Sequence, residues 1–162
     1  MRKGYYWLSF FILMLFLCTM PLAAQNETAS QTTATINTPP TYPGGEQAYK
    51  KFVKKNLKYP DYCKQYEAEG VCTMTFFVNA DGTIGEIEAK NCKITYINSA
   101  KIEKYSADER KAIKKECSRQ MAKEGLRIIR KMKKWNPAQM NGKPTRLRVT
   151  QDLDFKINYV DE

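Results

Sequence analysis

The chain has no histidine, no Cys-x-x-Cys pair and no glycine-rich phosphate loop. The first absence removes the side chain whose charge changes near neutral pH. It also leaves no imidazole to complete a zinc site, and the cysteine spacings give no thiolate pair to begin one. No metal and no cofactor are implied. The third absence, with no serine set in a nucleophile elbow, argues against phosphate and acyl-transfer chemistry. Glu86 and Glu88 lie on one strand face, but in an amphipathic sheet such carboxylates are ordinary solvent-facing residues. An enzyme is not expected.

What is present begins with an export signal over residues 1–24. Arg2 and Lys3 precede an apolar run from Tyr5 to Leu17, and Ala23-Ala24 then offers a small-residue cleavage site before Gln25. Tyr5 to Ala24 is also long and uncharged enough to be kept as a membrane span, which needs about 20 residues. Cleavage after Ala24 is the expected outcome. Retention would give the protein its only membrane contact. Residues 25–40 are rich in Thr, Ala, Gln and Pro and are expected to be a flexible tail, leaving one domain over 41–160.

Cys63, Cys72, Cys92 and Cys117 follow the leader, and an even count in an exported chain implies two disulfides. The formal net charge of the whole chain is +10, and loss of Arg2 and Lys3 lowers it by two. Such a balance favours anionic partners. Export removes nucleic acid from that list, leaving anionic envelope polymers or simply a solvated lysine-rich helix face.

Along the domain, Pro43-Gly44-Gly45 is a turn, and Glu46 to Asn56 is a helix with Ala48, Tyr49, Phe52, Val53 and Leu57 on one stripe. Tyr59-Pro60 stops it, and 61–69 is a short helix or turn. Val71 to Asn79 alternates with period two, Asn79-Ala80-Asp81-Gly82 turns the chain, and Thr83 to Asn91 returns, which predicts a hairpin. Ser106 and Glu109 form a capping box ahead of a long helix whose inner stripe is Ile113, Cys117, Met121, Gly125, Ile128, Ile129 and Met132. Trp135 and Pro137 close it. Leu147, Val149, Leu153, Phe155 and Ile157 then share one face of a long strand, interrupted by Gln151. The fold class is α+β, a small antiparallel sheet of about three strands packed against helices, with a helical insertion after the hairpin.

Five short motifs occur in order: Pro43-Gly44-Gly45-Glu46, Asn56-Leu57-Lys58-Tyr59-Pro60, Phe77-Val78-Asn79-Ala80-Asp81-Gly82, Trp135-Asn136-Pro137 and Asn141-Gly142-Lys143-Pro144. With the order helix, hairpin, helix, long strand, this resembles the C-terminal domain of the TonB energy-transducer family in its Bacteroidetes version. Between Cys92 and about Gln120 the chain is longer than the family's usual link. A Cys92–Cys117 bridge would staple that insertion to the domain, leaving Cys63 to pair with Cys72. The tail 25–40 is also much shorter than the linker with which the family's members cross the periplasm.

The resemblance implies a periplasmic domain of a Gram-negative envelope. It would capture an extended segment of an outer-membrane TonB-dependent receptor, or of another envelope protein, by strand addition in support of energised transport. The binding edge would be the C-terminal strand, with Arg146, Arg148, Thr150, Asp152 and Asp154 reaching the partner. Tyr59, Pro60, Trp135 and Pro137 fall at element boundaries and would be architectural. Two other readings stay open: edge-to-edge pairing of two copies, and a free periplasmic scaffold or regulator that binds anionic polymers through its basic face.

Overall fold

The computed structural model describes residues 36–157. The expected leader 1–24, the tail up to residue 35 and residues 158–160 of the expected domain lie outside the described residues. Among the described residues no helix is long and apolar enough to cross a membrane.

The elements are β1 (Ile36–Thr38), α1 (Gly45–Asn56), α2 (Asp61–Gln65), β2 (Glu69–Val78), β3 (Ile84–Tyr96), α3 (Ser99–Ile102), α4 (Ala107–Lys131), β4 (Ala138–Met140), β5 (Lys143–Thr145) and β6 (Leu147–Phe155). The main sheet is antiparallel in the order β3-β2-β6, and a small second sheet has the order β1-β4-β5. The architecture is therefore α+β, with helices packed on a three-stranded antiparallel sheet.

The core follows from the period-two pattern of β2. Cys72, Met74, Phe76 and Val78 are fully buried, and facing them are Ile113, Cys117, Met121, Ile128 and Ile129 of α4 with Leu153 and Phe155 of β6. Each such side chain contributes on the order of 1.5–3 kcal/mol on burial. The α4 N-terminus is held by the reciprocal Ser106–Glu109 capping box. Gly125 is buried where a Cβ would meet the Met74 sulfur at 2.7 Å, so the helix accepts a poor helix former to approach the sheet closely.

Trp135 joins the parts. Its ring lies edge-on to Phe76 at 5.2 Å, Tyr42 at 5.7 Å and Tyr49 at 6.1 Å. Its backbone N–H donates to the Gly82 carbonyl at 2.9 Å, while Asn136 and Thr41 exchange backbone bonds of 2.9 and 3.1 Å. One tripeptide thus fixes the hairpin turn, the start of the domain and the inner side of α1.

Four expectations need correction. The cysteine pairing is neither Cys63–Cys72 nor Cys92–Cys117. Cys72 and Cys92 stand directly opposite one another in the β2–β3 register, with Cα atoms 4.0 Å apart, and are disulfide-bonded. Cys63 lies instead where α2 meets α4, its thiol donating to the Cys117 carbonyl oxygen at 3.6 Å; both cysteines are buried and free. The neighbouring Cys117 thiol, and then burial, push the Cys63 thiol up. Second, the insertion after Cys92 is not stapled to α4. β3 continues through it to Tyr96, and α3 follows, capped by Asn98 accepting from the Ala100 N–H at 3.0 Å. Third, the tail does not run unpaired to residue 40, because Ile36–Thr38 pairs with β4. Fourth, Asn141-Gly142 is the positive-φ turn of a β4–β5 hairpin that was not expected.

Two outcomes follow for the isolated protein. Peptide mapping without reduction should recover the Cys72–Cys92 link, with Cys63 and Cys117 reacting as thiols only after unfolding; a Cys63–Cys72 or Cys92–Cys117 peptide would contradict this pairing. Gly82 has φ +81°, and a Cβ there would collide with the Trp135 carbonyl oxygen. Gly82→Ala should therefore lower unfolding stability by about 2 kcal/mol, read as a lower urea midpoint.

Candidate functional site

Among the described residues, the outer edge of β6 pairs with nothing. Its inner edge runs against β2 over nine consecutive pairs, from Gly70↔Phe155 to Val78↔Leu147, without a register shift. The opposite edge of the sheet differs. β3 pairs with β2 through three register shifts, and Glu86 sits in the left-handed region at φ 49°. Bulges and lysines blunt β3 as a pairing template, whereas β6 presents a straight one.

Arg146, Arg148, Thr150, Asp152 and Asp154 are all exposed, on the face of the sheet turned away from α4. The two arginines do not project freely. Arg146 lies 3.7 Å and Arg148 4.8 Å from the centre of the Phe77 ring. Arg146 also pairs with Glu86 and donates to the Asn79 side chain at 3.1 Å. Among the described residues Asp152 and Asp154 are joined in no ion pair.

Beside the edge runs α1, and between them is a groove of about 730 Å³. Gln151, Asp152 and Asp154 form the strand wall. Tyr49, Val53 and Leu57 supply an apolar floor, and Glu46 with Lys50, Lys51 and Lys54 makes a charged rim. Glu46 and Lys50 pair at 2.5 Å, one turn apart on the helix, which holds the Glu46 carboxyl below its usual range. The far end of α1 is fastened to α4, where Arg127 donates to the Asn56 carbonyl and Glu124 accepts from the Lys58 N–H, both at 2.6 Å.

Tyr49 is the one buried residue of α1, and among the described residues its hydroxyl has no hydrogen-bond partner. Burial pushes that hydroxyl's pKa up, and the charges of Asp152 and Asp154 push it further. A polar atom buried unpaired costs about 1–3 kcal/mol, so a donor is held beside the groove at a cost to the free domain.

The architectural residues sit as follows. Tyr59 is buried against Phe155 at 6.2 Å and donates to the Ala68 carbonyl. Pro60 is the N-cap of α2, Trp135 is in the aromatic cluster, and Pro137 directly precedes β4. None of the four lines the groove, although the Trp135 ring packs on Tyr49 of its floor. Of the expected strand residues, Asp152 and Asp154 meet α1 at the groove, while Arg146, Arg148 and Thr150 do not line it. The stripe Ala48, Tyr49, Phe52, Val53 and Leu57 packs on the core as its spacing predicts, and Tyr49, Val53 and Leu57 also line the groove, a second role that the spacing does not show. Gln151 was the available signal, a polar residue at a core-facing position of an otherwise apolar stripe. Among the described residues, no group of acidic or cysteine side chains could hold a metal ion.

No family model, curated protein or solved structure matches the chain. The likeness to the TonB family therefore rests on the five motifs and the element order.

Replacing Tyr49 with Phe should raise the stability of the free domain by about 1 kcal/mol, because it removes the unpaired hydroxyl and keeps the ring. Thermal unfolding measures it, and a lower midpoint would show that the hydroxyl is bonded after all.

Proposed function

We propose that this is an exported binding domain that captures an extended peptide segment by adding it as a fourth strand to β6, with α1 covering one face of the guest. The observation that supports this is the coincidence of an unpaired, unbulged strand edge with an apolar-floored groove alongside it. Main-chain hydrogen bonds along β6 would supply affinity. Inward side chains of the guest would rest on Tyr49, Val53 and Leu57, and outward ones would neighbour Arg148, Thr150, Asp152 and Asp154. By its resemblance to the TonB family, the guest would be a segment of an outer-membrane receptor or another envelope protein, met in the periplasm, in support of energised transport.

The alternative, a periplasmic scaffold or regulator holding anionic envelope polymers, is favoured by the exposed Lys111, Lys114, Lys115 and Lys123 on α4. The two readings differ in what the bound segment must supply. Synthetic peptides from the N-terminal segments of outer-membrane receptors, N-methylated one backbone amide at a time, should lose about tenfold or more in affinity at every second position and little between. Shifts in the amide NMR spectrum should fall on 147–155 and α1. Binding that ignores N-methylation but collapses with salt and maps to α4 would favour the polymer reading.

A further inference from the structure

The exposed face of β6 carries its charges in a particular order: Arg146, Arg148, Thr150, Asp152, Asp154. Two antiparallel copies of this strand, related by a two-fold axis at Thr150, place each residue opposite the one equally far on the other side of the axis. Arg148 then faces Asp152 of the second copy, and Asp152 faces Arg148. Arg146 faces Asp154 in the same way, though Arg146 is already joined to Glu86 in its own sheet. On the opposite face, Val149 meets Gln151 and Leu147 meets Leu153. Directly opposite side chains on paired strands sit close enough for opposite charges to attract and like charges to repel.

The helices also fit this arrangement. α1 flanks the edge at Gln151, Asp152 and Asp154, and none of residues 147–150 lines its groove. The two-fold operation puts the second copy's α1 beside that uncovered half, so the two helices take opposite ends of the paired strands.

We propose that the free edge of β6 is an isologous interface at which two copies of this chain join their sheets, antiparallel and centred on Thr150, with reciprocal Arg148–Asp152 pairs. This rests on the strand-addition reading of β6 and names a second copy as an occupant. A guest peptide and the second copy compete for the same edge, so guest capture is linked to dissociation of the pair by mass action.

The contact is self-complementary, so each charge reversal acts twice. In the intact chain, Arg148→Asp should weaken self-association about tenfold or more by sedimentation velocity, and Asp152→Arg should do the same. Mixing the two variants should restore a dimer, because each then supplies the charge the other lacks; that recovery also shows both are folded. Thr150→Cys should cross-link through its own symmetry mate under mild oxidation by a disulfide oxidant such as oxidised glutathione, whereas Asp154→Cys should not. Dimers that survive both reversals, variants that stay monomeric on mixing, or a wild-type chain monomeric throughout the micromolar range would each overturn the proposal. A monomeric chain that still captures extended peptides would reject the self-pairing alone, and a dimer whose separated variants bind no peptide would reject the capture reading alone.

Discussion

Trp135 is the contact on which the rest of the domain depends. A single indole touches Phe76 from the central strand, Tyr42 from the start of the domain and Tyr49 from α1. The same residue's backbone holds the hairpin turn at Gly82, and its neighbour Asn136 holds Thr41. Three segments far apart in sequence are thereby fixed to one another. α1 needs this most. Tyr49 is its one buried residue; Ala48, Phe52, Val53 and Leu57 pack on the core partly buried, and Arg127 and Glu124 of α4 fasten its far end. The groove wall is thus a helix with a single buried side chain, the kind of element expected to open at lower cost in free energy than the sheet.

Elements with strong local signals were legible in the sequence. The capping box at Ser106 and Glu109 starts α4 where the sequence places it, since both halves of the reciprocal bond are within three residues. The inner stripe of α4 is buried from Ile113 to Met132. β2 and its alternation are likewise local. The long strand appears as β6, although it ends at Phe155, before Ile157.

What escaped depends on distance or on broken periodicity. Disulfide pairing is a matter of register: Cys72 and Cys92 meet because β3 is shifted against β2 at two places between the turn and this pair, and no local pattern reveals how far. The three-residue step from Ile84 to Ile87 was a trace of one bulge, and Glu86 between them takes the left-handed conformation that absorbs it. β1 was invisible because its three residues are stabilised only by partners about a hundred positions away. The groove combined both difficulties. Its strand half was legible from alternation, but its helix half looked like an ordinary amphipathic stripe, whose apolar residues the sequence cannot divide between a core and a binding floor.

The two edges of the main sheet show how the same liability is handled in opposite ways. An exposed edge is a template for any extended chain, and charge, bulges or cover are the usual defences. β3 has bulges and lysines. β6 is straight, and its defence is charge of both signs arranged in order. Such an edge repels an identical strand in most registers, since Arg148 against Arg148 or Asp152 against Asp152 brings like charges together. It accepts one in the single antiparallel register that crosses at Thr150. Under the proposed capture, a guest peptide would meet the same requirement, acidic or neutral beside Arg148 and basic or neutral beside Asp152 and Asp154. On the proposed reading, the charge order would limit aggregation and select partners at once.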